Sequence, residues 1–109
     1  MRVIDPGALA ARLVLERPEE TPDGQGGVER SFAALATVWG RIEPVSARAA
    51  EVAGTLPVTV THRIWLRHRA DLAGGMRFRK GARIFTVLTF RDPDETGRYL
   101  VCDCEEAKP

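Results

Sequence analysis

The stretch Val58-Thr-Val-Thr-His-Arg-Ile-Trp-Leu-Arg-His-Arg69 decides the fold, because its side chains change character at every step. Read as a strand, it places Val58, Val60, His62, Ile64, Leu66 and His68 on one face, and Thr59, Thr61, Arg63, Trp65, Arg67 and Arg69 on the other. The first face belongs to a core, and the segment reads as the central strand. The second face is basic and amphipathic. It suits solvent, a neighbouring subunit or a phosphate backbone, and the strand alone does not choose among them.

Downstream, Asp71-Leu-Ala-Gly-Gly75 reads as a turn, and Met76-Arg-Phe-Arg79 and Arg83-Ile-Phe-Thr-Val-Leu-Thr-Phe90 flank Lys80-Gly81 as a hairpin. Asp92-Pro-Asp-Glu-Thr-Gly97 turns the chain again, and Arg98-Tyr-Leu-Val-Cys-Asp-Cys-Glu105 returns as a strand. Upstream, Asp5-Pro-Gly is a turn signal, and a strand is expected over Arg12 to Arg17, stopped by Pro18. Ser31 to Glu43 reads as a strand around Thr37-Val-Trp39, with Gly40 as a bulge, Pro44 as terminator and Trp39 as a core or interface anchor. In Val45-Ser-Ala-Arg-Ala-Ala-Glu-Val-Ala-Gly54 the capping Ser46, the alanines and the closing Gly54 predict one short helix. Residues 18–30 have little to bury and carry Gly24, Gly26 and Gly27, which predicts a long mobile loop. The expectation is an all-β chain: a small antiparallel β-barrel with one short helix and that loop.

A chain of 109 residues, 44% hydrophobic and 28% charged, fits a single soluble domain spanning residues 1–109. No apolar run approaches the roughly 20 residues of a membrane-spanning helix, and the N-terminus has no secretory apolar region, so an intracellular start is expected. The net charge of +1 hides a positional pattern. Glu16, Glu19, Glu20, Asp23 and Glu29 precede a stretch in which Arg63, Arg67, Arg69, Arg77, Arg79, Lys80 and Arg83 meet only Asp71. Such asymmetry fits nucleic acid contact, and equally a protein whose acidic and basic patches meet on different copies of itself.

Enzyme chemistry finds no foothold. No serine lies in a Gly-x-Ser-x-Gly turn, neither Cys102 nor Cys104 has a local histidine, and Asp-Gly-Gln-Gly-Gly27 lacks the Lys-Ser/Thr and helix of a phosphate loop. The two cysteines share one strand face at a spacing unsuited to a disulfide, and a zinc site would need two further donors. His62 on an apolar face reads as a satisfied core histidine. No catalytic residue, metal or cofactor is expected. Arg63, Arg67 and Arg69 interleaved with Trp65 leave one alternative open, a small β-barrel nucleic-acid-binding module, although a single aromatic makes a poor stacking platform.

Several segments together resemble the phage head-tail adaptor family, also called head-tail joining or head-closure (stopper) proteins, including those of phage-like gene transfer agents. They are Leu9 to Leu15 followed by Thr21-Pro-Asp-Gly-Gln-Gly-Gly27, Val38-Trp-Gly-Arg-Ile-Glu-Pro44, Thr61 to Arg69, Met76-Arg-Phe with Lys80-Gly-Ala-Arg-Ile-Phe85, and Arg98-Tyr-Leu with Cys104-Glu-Glu106. Phe32, where the family commonly has tryptophan, and Ala47, where it commonly has glycine, depart from the pattern. The resemblance implies a structural protein of a phage, prophage or gene transfer agent, made in the bacterial cytoplasm and built into the particle at the head-tail junction. It implies a homo-oligomeric ring, hexameric in the particle and monomeric in isolation, seated between a portal-bound adaptor and the tail terminator or tail tube. Double-stranded DNA would pass through without sequence-specific binding, and no membrane is involved. On this reading Arg63, Trp65, Arg67 and Arg69 are candidate contacts between subunits or rings. Glu19, Glu20, Asp23, Gly24, Gly26, Gly27 and Glu29 form a candidate channel-gating loop.

Overall fold

In the computed structural model, which describes residues 6–50 and 58–107, a short 3-10 turn at Pro6–Ala8 leads into six strands. These are β1 (Ala11–Pro22), β2 (Val28–Ala50), β3 (Val58–Arg67), β4 (Arg77–Lys80), β5 (Arg83–Arg91) and β6 (Tyr99–Glu106). Every pairing is antiparallel, and the order β1-β2-β3-β6-β5-β4 closes through β4 onto β1. Closure leaves the sheet without a free edge around the core.

β3 is central, as its alternation predicts, hydrogen-bonded to β2 on one side and β6 on the other. Its Val60, Ile64 and Leu66 are buried, the last two among Leu13 and Leu15 of β1, Phe78 of β4, Phe85 and Val87 of β5, and Cys102 and Cys104 of β6. The opposite face is less open than expected. Trp65 is only 7% exposed, because Leu9 and Ala8 fold over it beside Val101 and Tyr99 in a second, smaller cluster outside the sheet. Both cysteines are reduced and fully buried, and burial pushes the Cys102 thiol up to about 12 and that of Cys104 up as well.

Two expectations need correction. The loop predicted for residues 18–30 is mostly strand: β1 and β2 pair without a break from Glu16↔Ala34 out to Pro22↔Val28, and residues 23–27 alone form the turn. Pro18 does not stop β1, since a two-stranded ribbon has an open edge on each strand, where a missing N–H costs no ladder bond. The helix predicted for residues 45–54 is absent over its first half, where β2 runs on to Ala50 and pairs Arg48↔Val60 and Ala50↔Val58. The second half lies outside the described residues. Alanine's helix propensity is worth only tenths of a kcal/mol per residue, and beyond the irregularity at Pro44/Arg48 the backbone of β3 offers ladder partners to residues 48–50 instead.

Gly40 is in regular register between Ala11 and Leu66, so the bulge expected there lies elsewhere, with register shifts at Leu15/Glu16 and Pro44/Arg48. The glycine has another cause: a Cβ would stand 2.9 Å from the Trp65 carbonyl oxygen and 3.0 Å from Leu13 Cδ1. Gly40→Ala should therefore cost about 1–3 kcal/mol by forcing β2 and β3 apart. An unchanged urea midpoint would show that the sheet gives way freely.

Candidate assembly surfaces

The arginines that look unopposed in the sequence acquire partners when the sheet closes. Arg63 lies between Glu43 of β2 (3.7 Å) and Asp103 of β6 (3.4 Å), and Arg91 of β5 reaches the other oxygen of Asp103 at 3.2 Å. Charge thus alternates across four adjacent strands on the outer face. At the opposite seam Glu16, 6% exposed, accepts hydrogen bonds from Arg77 Nε (2.6 Å) and Arg79 Nε (3.0 Å), while the Arg77 guanidinium stacks 3.8 Å above the Phe32 ring. Burial pushes the Glu16 carboxyl up, but the hydrogen bonds and charges of the two arginines outweigh this and hold it below the usual carboxylate range.

A third cluster closes one end of the core. Glu106 accepts two hydrogen bonds from Arg83, at 2.8 and 3.1 Å, and its backbone N–H donates to Thr61 Oγ1 at 2.8 Å. Thr61 Oγ1 also meets His62 Nδ1 at 2.9 Å, and the imidazole packs edge-on against Phe85 with centroids 5.1 Å apart. Desolvation lowers the His62 pKa, Glu106 opposes this and Arg83 reinforces it, so the ring is held neutral. The cluster is structural, in line with the reading of His62 as a satisfied histidine. Among the described residues no set of His, Cys, Asp or Glu side chains is placed to hold a metal ion, and no helix is long and apolar enough to cross a membrane.

Of the candidate contacts, then, Arg63 is engaged within the subunit and Trp65 is covered. Arg69 is held by Asp71 through bonds of 2.9 and 2.8 Å. Arg67 is exposed and has no ion pair among the described residues. The structure sets Arg67, His68 and Arg69 beside Thr37, Val38 and Trp39 around a cleft of about 250 Å³. Trp39 is not a core residue; it is 56% exposed, across from Arg12 in the β1–β2 register. Its parity, opposite to that of Val38, is the sequence signal for this outward position. Glu16 had no such signal, because its partners lie 61 and 63 residues away.

The candidate gating residues sit on the projecting ribbon, where residues 20–31 are all exposed. Cross-strand pairing separates two faces: Glu20 with Arg30 and Pro22 with Val28 on one, Glu19 with Ser31 and Thr21 with Glu29 on the other. Arg30 reaches Glu20 at 2.9 Å, which neutralises the first face, and Val28 there is 61% exposed. On the second face Arg17 reaches Glu19 at 3.5 Å, which leaves Glu29 as its one carboxylate without an ion pair among the described residues. At the tip Asp23 Oδ1 accepts hydrogen bonds from the backbone N–H groups of Gln25 (2.7 Å) and Gly27 (3.1 Å). Gly24 and Gly26 take positive φ, so these glycines shape a defined turn.

A closed antiparallel β sheet with a projecting ribbon has counterparts among known proteins. A solved structure of the virion of a native gene transfer agent particle contains a chain 33% identical to this one, covering 88% of this chain and 93% of that one, with a TM-score of 0.65. The solution structure of protein SF1141 from Shigella flexneri 2a shares the fold at 23% identity, covering 94% of this chain and 96% of that one, with a TM-score of 0.68. Curated proteins give no match. The family model for the phage head completion protein matches residues 4–107, nearly the whole chain, and on that match this protein belongs to the phage head completion family, a structural and non-enzymatic one.

Proposed function

We propose that the chain is a head-closure connector: a ring of identical subunits between the portal-bound adaptor and the tail terminator or tail tube, retaining packaged double-stranded DNA and passing it on delivery. The observation that carries this reading is the family match over residues 4–107, with the likeness to a chain of a gene transfer agent virion beside it. Stopper is the first assignment and adaptor the second. The two-faced ribbon supports a place beside the bore. A basic lumen would accumulate phosphate contacts around the ring and retard the duplex, whereas one ribbon face carries Glu29 beside the Arg17–Glu19 pair, a net negative charge that repels phosphate. The gate is then a stiff paired arm, with Asp23, Gly24, Gly26 and Gly27 forming its end and Glu20 on its neutralised face.

Electron microscopy and native mass spectrometry of the protein with its portal-side neighbour should show closed rings. A persistent monomer in the presence of both neighbours would overturn the connector assignment. Particles in which a short turn replaces residues 20–30 should still form rings but lose DNA from filled, tailless heads. Full DNA retention by such particles would remove the gating role and leave the ring intact.

A further inference from the structure

Pairing within the subunit consumes nearly every arginine of the basic stretch: Arg63 with Glu43 and Asp103, Arg69 with Asp71, Arg77 and Arg79 with Glu16, Arg83 with Glu106. Among the described residues, Arg67 and Lys80 are the members of that stretch without such a partner. Arg67 lines the cleft that also holds Trp39, and exposed Arg12 stands across from Trp39 in the ladder. One surface therefore joins a bare indole to two cations. The ribbon end has the complementary character. Val28 and Pro22 form an exposed apolar pair, with Asp23 just beyond at the turn, while Glu20 behind them is already held by Arg30. Among the described residues, Val28 and Trp39 are two of the three large hydrophobic side chains left exposed, the third being Phe90.

Resting on the ring reading, we infer that the cleft formed by Trp39 and Arg67 receives the ribbon end of a second copy of this chain. Pro22 and Val28 lie on the indole, and Asp23 faces Arg67 and Arg12. A chain cannot fill its own cleft. Val28 and Trp39 belong to the same extended strand and stand about 36 Å apart at roughly 3.3 Å per residue. The contact joins two different patches, so each subunit gives a ribbon to one neighbour and takes one from the other, the arrangement that closes as a ring. It leaves the opposite ribbon face, with Glu19 and Glu29, turned away from the neighbour.

Cysteine pairing tests this directly, because Cys102 and Cys104 are buried with thiols pushed up and stay silent. Val28→Cys and Thr37→Cys alter exposed positions at the ribbon end and in the cleft lining and leave the Trp39 indole in place, and unchanged circular dichroism will show that both fold. At millimolar concentration under mild oxidant, a mixture of the two single variants should give the mixed disulfide about tenfold above either symmetric dimer. The doubly substituted chain should give a ladder on non-reducing gels that ends at one closed species. Adding Arg67→Glu to the Thr37→Cys chain should lower the mixed yield about tenfold. Absence of the mixed product, or a yield indifferent to Arg67→Glu, overturns the contact. Quenching of Trp39 fluorescence by duplex oligonucleotide and not by added protein overturns it too, and makes the cleft a nucleic-acid surface. Rings seen by microscopy without the cross-link sink this contact and spare the connector reading. A cross-linked ladder that never closes keeps the contact and sinks the ring.

Discussion

Phe85→Ala is expected to lower stability by about 3–5 kcal/mol, enough to bring a domain of this size close to unfolding at room temperature. Phe85 is fully buried where β4 and β5 face each other in register at Phe78↔Phe85, so truncation leaves a cavity that neighbouring strands of a closed sheet cannot collapse into. The ring also supports the His62 edge and lies 4.8 Å from the Arg83 guanidinium, so its loss loosens the Glu106 cluster as well. Ile64→Ala, at the centre of β3, should cost about 2–5 kcal/mol by the same mechanism. Arg67→Ala, on the exposed face, should stay within about 0.5 kcal/mol. Urea unfolding that found equal losses for Ile64→Ala and Arg67→Ala would mean that the two faces of β3 have been interchanged.

The second large effect concerns Glu16. Glu16→Ala removes the common acceptor of Arg77 and Arg79 at the seam where the sheet closes, and should cost about 2 kcal/mol at neutral pH. The figure is kept low because the Arg79 side chain is 41% exposed and recovers hydration when freed. The pH dependence has a definite sign. The folded carboxyl lies below its ordinary value of 4.5, so the stabilisation is complete above pH 4.5 and is lost as pH falls through the lower folded value. Glu106, lowered chiefly by its hydrogen bonds from Arg83, behaves the same way. His62 adds an earlier loss. Its folded pKa is below 6.5, so the unfolded chain takes up the proton first as pH drops beneath that value. Wild type and Glu16→Ala should therefore differ at pH 7 and converge in strong acid. A constant gap in melting temperature from pH 7 to pH 3 would show that packing, and not charge, is what Glu16 supplies.

The network that makes Glu16 matter also bears on assembly. A subunit that neutralises its charges internally presents few places for a partner to grip, which gives weight to an unpaired Arg67 beside an exposed Trp39. In the proposed contact between copies, specificity rests on one aromatic anchor and a ribbon, and the outer-face ladder from Glu43 to Arg91 stiffens the sheet that carries them.

The alternation from Val58 to Leu66 by itself determined the central strand and its buried face, and the glycine and proline turn signals placed the hairpin across Lys80-Gly81 and the return through Cys102 and Cys104. Those features are local: period, turn chemistry and apolar character all act within a few residues. The remaining features depended on partners far away in the chain. The ribbon of residues 18–30 looks like loop because neither strand has anything to bury, yet each supplies the other's ladder, a property of the pair and not of either segment. Residues 45–50 carry helix-forming alanines and continue as strand because β3 was there to bond residues 48–50. Trp65 lies on the polar face by parity and is buried because the chain before β1 folds back across it. The basic stretch was legible as a cluster of arginines, but which of them remain free was decided by Glu16, Glu43, Asp103 and Glu106 arriving from other strands. Closure of the sheet brings carboxylate and guanidinium within 4 Å, where attraction outweighs the loss of side-chain freedom.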